Sequence, residues 1–430
     1  MKIGQITPSR AAPFLALIAI WMLLGLFIHS FAGGSPSKPH WSQRWWNDEV
    51  VLHSAGILCR YRAFPISEHW FSLSAPGMEC NDQEKPNTVS DLADQPNLPI
   101  VSSETLGGQS VYTSFPPGAF IIASAFVNPI AKFMTVSDLS ALKIWNWCLA
   151  LVTALIFAVT LRRVWPQDLK HQNTLIVLAC LPFLIAVEPM HSHHQTLWAH
   201  QVMQPVIATA LYLIVGRMTT RRAIALGTLC FVACWIEWTA YLLCIACFFV
   251  VVVKSEKDSQ LKNATIFSIT TLLGGLSVLA YYWQLVGIEP YFRSLTERFT
   301  SRSAAVSYYN WGDWLLSLMQ SFGPWIAAIG LLLIELFTYR KNDSNTNIPA
   351  TLIAVSAFIL LENALMLEHA IVYTFDRLKW AFLIGLLIYS IGRKAISANE
   401  RSIVWVTVIP LLASAYSIYQ YMDIYKPYWR

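Results

Sequence analysis

Charged residues are scarce in this chain. They make up 13% of its 430 residues, whereas soluble globular domains carry about 25%. An ordinary soluble fold is therefore excluded, and the 55% of hydrophobic residues, with 18 tryptophans among them, indicates a membrane protein. Heptad and solenoid repeats are also absent, so coiled-coil and repeat architectures are not expected. The net charge of only +5 gives no indication of a nucleic-acid partner.

Long apolar runs account for most of the sequence. About eleven or twelve of them approach the roughly 20 residues that span a bilayer. Lipid offers no hydrogen-bond partner to free backbone groups, so spanning runs have to be helical. We therefore predict an all-α polytopic membrane protein with about 11 (11–12) transmembrane helices. The runs after the first are approximately 117–135, 140–161, 173–188, 196–216, 222–235, 238–253, 263–287, 313–337, 349–367, 377–392 and 402–421.

The distribution of basic residues predicts the topology. The first run, Ala11–Phe31, follows Lys2 and Arg10 but is longer than a signal-peptide core of about 7–15 residues, so it is expected to remain as a helix with its N-terminus inside. Arginine and lysine place five later connections inside, namely 162–170, 217–222, 254–262, 340–341 and 393–401. The connections between them are expected outside with the first loop, namely 189–195, 236–238, 288–312 and 368–376. Charge alternation favours eleven crossings, and whether 117–161 crosses once or twice stays open.

This topology divides the chain into five parts. They are an N-terminal transmembrane helix at 1–32, an extracytoplasmic loop at 33–116, a central transmembrane module at 117–287, a second extracytoplasmic loop at 288–312, and C-terminal transmembrane helices at 313–430.

The first outer loop contains an acidic pair, Asp48 and Glu49, in its first third. Asn47 is a favourable N-cap, and the pair would occupy the first turn of a helix. The apolar residues that follow recur at helical spacing, which predicts an amphipathic surface helix over roughly 48–63. Residues 80–110 are rich in Asn, Asp, Pro, Ser and Gly, and we expect an irregular loop there.

Two of the eight cysteines lie outside the apolar runs. Cys59 and Cys80 both fall in the first outer loop, where an oxidising compartment would favour a disulfide between them. In the chain-entropy model such a bridge stabilises the fold by about 3 kcal/mol. Two unpaired thiols are the alternative, and the other six cysteines are expected in the helical core.

Two further outer segments concentrate polar residues. The 288–312 loop combines aromatic residues with Arg293, Arg298 and Arg302. The 362–380 segment carries, in order, Glu362, Glu368, His369, Tyr373, Asp376, Arg377 and Lys379.

These features together resemble the GT-C superfamily of integral-membrane glycosyltransferases. The resemblance rests on the acidic pair after the first span, on Phe115-Pro116-Pro117-Gly118 at the start of the second, and on the aromatic, arginine-bearing loop at 288–312. It covers about residues 1–315 better than the C-terminal third. The most similar families are the aminoarabinose transferases of lipid A and the protein O-mannosyltransferases. In these families a Gly commonly precedes the acidic pair, where this chain has Asn47, and no soluble domain follows the mid-chain loop here.

The resemblance implies a GT-C-like bundle that moves a sugar, with inversion, from a polyprenyl-phosphate donor to a glycan, lipid or protein hydroxyl. Asp48 would be the general base, with Glu49 beside it. A leaving phosphate, whose second pKa is about 6, needs no strong general acid. Basic side chains would bind the donor phosphate, and the candidates are Arg293 and Arg302 first, then Arg298, Arg60, Arg62, Lys379 and Arg377. The substrate cavity is expected to be lined by Trp46, Tyr112, His191, His194, Glu237, Tyr373 and His369.

The resemblance also implies a location and a set of partners. The location is a bacterial inner membrane with the active site on its extracytoplasmic face, and the partners are the lipid-linked donor, membrane lipid and the acceptor. No cofactor is required, because one base and arginines suffice, although a divalent metal stays possible. The histidines of the segment Glu188–His200 have no cysteine or clustered aspartate beside them, so no metal site is assigned there.

Simpler interpretations accompany each of these residues. Acids in a first helical turn stabilise the helix by roughly 0.3–1 kcal/mol, which would account for Asp48 and Glu49 without catalysis. Aromatic and basic residues near Tyr373 also suit a membrane-interface belt. Glu237, between two short apolar runs, is costly unless it faces water or a partner. The functional alternatives are a transporter or flippase of lipid-linked saccharides, and a polysaccharide polymerase or ligase.

Overall fold

The computed structural model describes residues 8–31, 100–103, 109–112, 116–135, 138–164, 171–195, 199–302, 309–338, 350–372 and 374–425. Within these ranges the chain is helical apart from one short hairpin and the connecting turns. The helical membrane class expected from the apolar runs is thus confirmed. The expected surface helix at 48–63 and the Cys59–Cys80 pair lie outside the described residues.

Seventeen helices are described, together with two strands and two short 3₁₀ segments, Thr374–Lys379 and Glu400–Ser402. The strands are β1 (Ile100–Ser103) and β2 (Gln109–Tyr112). The helices are α1 (Pro8–Phe31), α2 (Gly118–Met134), α3 (Asp138–Val164), α4 (Gln172–Cys180), α5 (Pro182–Ile185), α6 (Val187–Gln195), α7 (Ala199–Ile214), α8 (Thr220–Ile236), α9 (Thr239–Lys254), α10 (Lys257–Val286), α11 (Ile288–Arg302), α12 (Trp311–Thr338), α13 (Ala350–Phe358), α14 (Leu361–Leu365), α15 (Leu367–Val372), α16 (Trp380–Ala398) and α17 (Ile403–Tyr425).

Among the described helices, six are long and apolar enough to cross a membrane, and a seventh crossing results if α4–α6 counts as one bent span. The predicted number of eleven is therefore not reached by length and composition, since α2, α9 and α13–α14 are shorter apolar helices. In the ambiguous segment 117–161 the structure has one long helix, α3 with 27 residues. Its neighbour α2 has only 17 and contains Pro129.

Basic residues gather at one end of the bundle, which we term the basic end. Lys254 Nζ donates to the Ile214 carbonyl at 2.9 Å, joining the ends of α7 and α9. His171 Nε2 lies 4.0 Å from Glu400 Oε1, joining the start of α4 to the connection after α16. The positive-inside rule predicts that this end faces the cytosol. Its basic residues are Arg162, Arg163, Arg217, Arg221, Arg222, Lys254, Lys257, Arg393, Lys394 and Arg401.

Small residues allow close helix packing inside the bundle. A Cβ atom built at Gly274 of α10 would lie 2.8 Å from the Phe231 Cα of α8, and one at Gly227 would lie 3.1 Å from the Thr270 Cβ. Backbones that approach this closely maximise dispersion contacts where lipid provides no hydrophobic driving force. Two reciprocal hydrogen bonds join α1 to α3. Trp21 Nε1 donates to the Trp147 carbonyl at 2.8 Å, and Trp147 Nε1 donates to the Trp21 carbonyl at 3.2 Å.

Two outer segments differ from the sequence prediction. The region 80–110, expected to be irregular, contains strand β1, which pairs antiparallel with β2. Four-residue strands with few apolar positions give little periodicity, so they escape detection. The 288–312 loop contains the 15-residue helix α11. Tyr291 anchors this helix by stacking on Tyr282 of α10, with ring centroids 4.6 Å apart. Strand β1 lies against both α10 and α11, so the two outer segments are in contact.

Candidate functional site

A buried cluster of acids, bases and histidines lies where several helices end or break. We term it the polar network. Its members come from α6, α7, α9, α12, α14, α15, the 3₁₀ segment before α16 and the connection between α8 and α9. All are buried, and they are Glu188, Ser192, His200, Glu237, Thr239, Ser321, Glu362, Asn363, His369, Asp376, Arg377 and Lys379.

Helix breaks bring these side chains together. The axis turns by 54° between α4–α5 and α6, where Ala186 adopts an extended conformation with ψ of 150°. Pro182 lies at the start of α5, as proline favours the first turn of a helix. At the end of α8, Glu237 is also extended, with φ of −164° and ψ of 156°. An extended residue redirects the chain, so polar side chains on successive helices face one interior region.

Lys379 is the central cation of the network. Its Nζ donates to Asp376 Oδ1 at 2.8 Å and to a Glu362 carboxylate oxygen. Asn363 Nδ2 donates to the second oxygen of Asp376 at 2.5 Å. The Thr239 hydroxyl donates to Glu362 as well. Buried charges persist only when they are paired and hydrogen-bonded, and this arrangement meets both conditions.

Arg377 forms a second, adjoining centre. Its Nε donates to Ser321 Oγ at 2.8 Å, and Nη1 donates to the carbonyl of Ala370 at 2.6 Å. Nη2 lies 3.4 Å from Glu188 Oε2. Glu188 also accepts hydrogen bonds from Ser321 at 3.1 Å and from Ser192. The planar guanidinium thus ties α6, α12 and α15 together, which the single ammonium of a lysine cannot do.

His200 connects the lysine centre to Glu237. Its Nε2 lies 3.1 Å from Asp376 Oδ1 and 3.8 Å from Glu237 Oε1. His369 stacks on His200 with ring centroids 5.7 Å apart, and its Nδ1 lies 3.7 Å from Asp376 Oδ2. Burial, followed by the nearby Glu362 carboxylate, raises the pKa of Glu237 to about 7. A Glu with such a pKa can bind or release a proton near neutral pH.

The polar network lies near the end of the bundle opposite the basic end. Helices α7, α8 and α16, which run between the two, have 16, 17 and 19 residues. At about 1.5 Å per residue they are about 24–28 Å long. A bilayer hydrocarbon core is about 30 Å thick. Along these three helices the network therefore lies nearly one core thickness from the basic end.

Three helices continue past the network on this side. His193 Nδ1, beside the network, lies 2.8 Å from the Asn146 carbonyl of α3. The network is therefore at the height of Asn146, eight residues from the start of α3 at Asp138. Ser321 lies ten residues from the start of α12 at Trp311. At about 1.5 Å per residue these helices extend about 12–15 Å beyond the network. Helix α10 also continues, from Ser277 to Val286.

The structure brings together four of the residues predicted from sequence. Glu237, His369, Arg377 and Lys379 all belong to the polar network, although Arg377 and Lys379 are buried in ion pairs and not displayed on a loop. Arg293, one of the two preferred phosphate ligands, lies on exposed α11 and pairs with Glu289 at 2.8 Å. His191 is half-buried on α6, one turn from Glu188.

Several predicted site residues cannot be placed. Asp48, Glu49, Trp46, Arg60, Arg62 and Tyr373 lie outside the described residues. For another four only the backbone is described: Tyr112 ends β2, His194 lies in α6, and Arg298 and Arg302 lie in α11.

The sequence prediction noted the residues that complete the network without placing them in one buried site. Glu188, His200, Glu362 and Asp376 were noted in segments of interest but were not among the candidate site residues, and each pairs with a predicted member. Their position in the sequence was the only indication of a functional role. An ionisable residue inside or beside an apolar run is a candidate for function by default. Their mutual contacts span as many as 189 positions in the chain, so only the fold reveals them.

Comparison with family models, with curated proteins and with solved structures gave no match to this chain. The residues and their geometry therefore provide the basis for a functional proposal.

Proposed function

We propose that this membrane protein is a glycosyltransferase that moves a sugar from a polyprenyl-phosphate donor to an acceptor hydroxyl on the extracytoplasmic face of a bacterial inner membrane. The observation that carries the proposal is the convergence of the outer segments at one end of the bundle. Strand β1, from the loop that holds Asp48, lies against α11, which carries Arg293. The polar network is buried at the same end.

The proposed reaction is a single displacement. Asp48 accepts the proton of the acceptor hydroxyl while the oxygen attacks the anomeric carbon. The bond from that carbon to the phosphate oxygen breaks, and the phosphate leaves with the electron pair. The new glycosidic bond has inverted configuration. Asp48 then releases its proton to water, so the base is regenerated.

Basic groups at this end suit the phosphate carrier. Arg293 is exposed, and its pairing with Glu289 on one face of a solvated helix is worth only about 0.3–0.5 kcal/mol. A phosphate can therefore displace Glu289 at small cost, and bidentate contact with arginine is a strong phosphate interaction. Arg298 and Arg302 follow on the same helix. In this proposal the buried Arg377 and Lys379 keep the helix ends in place beneath the reacting groups.

A transporter of lipid-linked saccharides is the second candidate function. The buried acids and bases at helix breaks favour it, because transporters place such groups in discontinuous helices. Their binding sites lie near the bilayer midplane, which is about 15 Å from either boundary. The polar network lies about 24–28 Å from the basic end along α7, α8 and α16, but α3 and α12 continue about 12–15 Å beyond it, so its height fits either function. We prefer the glycosyltransferase because β1, from the loop that holds Asp48, lies against α11, which carries the exposed Arg293.

Intact mass analysis of glycans tests the proposed function. Cells with and without the protein are compared, and their lipid-linked, lipid, polysaccharide and protein-bound glycans are analysed separately. We expect a mass difference of one hexose-type residue in one acceptor fraction. An unchanged set of masses in every fraction would contradict the proposal. Movement of an unchanged lipid-linked saccharide across proteoliposome membranes would instead support the transporter.

A further inference from the structure

Two groups of potential metal ligands meet at His200. One contains His200, His369 and Asp376, and the other contains His200, Glu237 and Glu362. Within each group the ligand atoms lie within 4.8 Å of one another, and every side chain is buried. Zinc is bound by imidazole nitrogens and carboxylate oxygens at about 2.0–2.2 Å, so ligand atoms around one ion lie only a few ångströms apart. The described geometry is close to this requirement.

Charge balance points to a cation in the same place. Around His200 the network buries three carboxylates, on Glu237, Glu362 and Asp376, against one ammonium on Lys379. A metal ion requires ionised carboxylates and neutral histidines, and in that state two negative charges are in excess. Glu188 does not alter the sum, because it is balanced by Arg377. Uncompensated buried charge is strongly unfavourable, and one divalent cation would neutralise this excess.

We infer that the polar network binds one zinc-class divalent cation, with His200, His369 and Asp376 as ligands. Two imidazoles and one carboxylate leave a fourth position of a tetrahedral zinc site open. The ion links α7, α15 and the 3₁₀ segment before α16. Since metal binding is measured without sugar transfer, this inference stands or falls independently of the proposed function.

The surroundings of Asp376 fit a ligating carboxylate. Ligating carboxylates are usually held by hydrogen bonds from an outer shell, which fix their orientation. Asn363 Nδ2 donates to Asp376 Oδ2 at 2.5 Å, and Lys379 Nζ donates to Asp376 Oδ1 at 2.8 Å. Asn363 is itself oriented by Trp380, whose Nε1 donates to its side-chain oxygen at 2.9 Å.

Metal analysis of the purified protein tests this inference. The full-length chain is stripped with a chelator in detergent, incubated with Zn²⁺ or Mg²⁺, desalted and analysed for bound metal. We expect about one equivalent of zinc per chain and no retained magnesium, because magnesium prefers octahedral oxygen sites. The variant His369→Gln should weaken zinc binding by more than the roughly 10–100-fold produced by loss of an outer-shell partner.

His193→Gln is the matched control. His193 is equally buried and lies on α6 beside the network, but its Nδ1 faces the Asn146 carbonyl at 2.8 Å and it belongs to neither ligand group. This variant should keep wild-type zinc affinity. Equal loss of zinc in His369→Gln and His193→Gln would overturn the inference. So would a wild-type protein that retains no zinc, in which case protons neutralise the excess charge.

A cobalt spectrum avoids any dependence on variant folding. Wild-type protein loaded with Co²⁺ should show the intense visible absorption of a tetrahedral site, and added Zn²⁺ should remove it. A spectrum that matches aqueous Co²⁺ would overturn the inference even if some zinc adheres to the surface.

Discussion

Lys379 shows how strongly one buried charge depends on its neighbours. Its ammonium is enclosed by the Asp376 and Glu362 carboxylates, and all three side chains are buried. The sequence analysis selected Lys379 as a candidate site residue because it adjoins an apolar run. It predicted a phosphate ligand at the surface, whereas the side chain is buried in ion pairs. The partners come from Glu362, 17 positions away, and Thr239, 140 positions away. No local pattern encodes such pairings, so the sequence could not show that this charge is already satisfied.

Replacing Lys379 by Met should destabilise the protein by about 3–5 kcal/mol, because two carboxylates then remain buried without their cation. Adding Glu362→Gln should recover part of this loss, since one uncompensated charge is removed. The measurement is thermal or denaturant unfolding in detergent. Lys257→Met at the exposed start of α10 is the control and should change stability by less than about 0.5 kcal/mol. A Lys379→Met protein as stable as this control would show that the ion pairs contribute nothing.

At the scale of elements, apolar runs predicted the helices well but not their interruptions. The runs at 222–235 and 238–253 correspond to α8 and α9 within a few residues. The break at Ala186 has no glycine, and its neighbouring prolines are tolerated within membrane helices. Such a break is stabilised by polar side chains in the interior, and these come together only in the folded chain. Helix α11 was missed for a related reason, since its stabilising contact is with Tyr282 of a different helix.

Gly118, at the start of α2, packs against the end of α8. A Cβ atom there would overlap the Trp235 carbonyl group, whose carbon would be only 2.8 Å away. Gly118→Ala should therefore push α2 outward and destabilise the protein by about 1–3 kcal/mol, as judged by unfolding in detergent. Gly330→Ala in α12 is the matched control, because no atom lies within 4 Å of its added Cβ. That variant should be neutral or up to about 1 kcal/mol more stable. Equal effects at the two glycines would contradict this packing.

For the whole molecule, the basic residues and the polar network define opposite ends. The sequence predicted which connections share an end, and contacts such as Lys254 with Ile214 and His171 with Glu400 join connections that were placed together. The number of crossings was harder to predict. The broken segment α4–α6 resembles a single span in hydropathy, and only its geometry shows the interruption.

Labelling of single cysteines tests the orientation. In a background with all eight native cysteines replaced by Ser, Glu297→Cys on α11 should react with a membrane-impermeant maleimide in intact cells. Asp258→Cys at the exposed start of α10 should react only after permeabilisation. The positive-inside rule is the reason, because the arginine and lysine cluster holds the Asp258 end in the cytosol. The opposite pattern would place the network and α11 on the cytosolic side and would exclude an extracytoplasmic site.

The most direct measurement for the proposed chemistry is the rate of sugar transfer by Asp48→Asn. This variant removes the base while keeping the size of the side chain, so transfer should fall by about 10²–10⁴-fold. Asp91→Asn, in the same loop but outside the acidic pair, is the control and should transfer sugar at the wild-type rate. Both proteins should insert normally and retain binding of polyprenyl phosphate. Unchanged transfer by Asp48→Asn, or an equal loss in Asp91→Asn, would contradict Asp48 as the catalytic base.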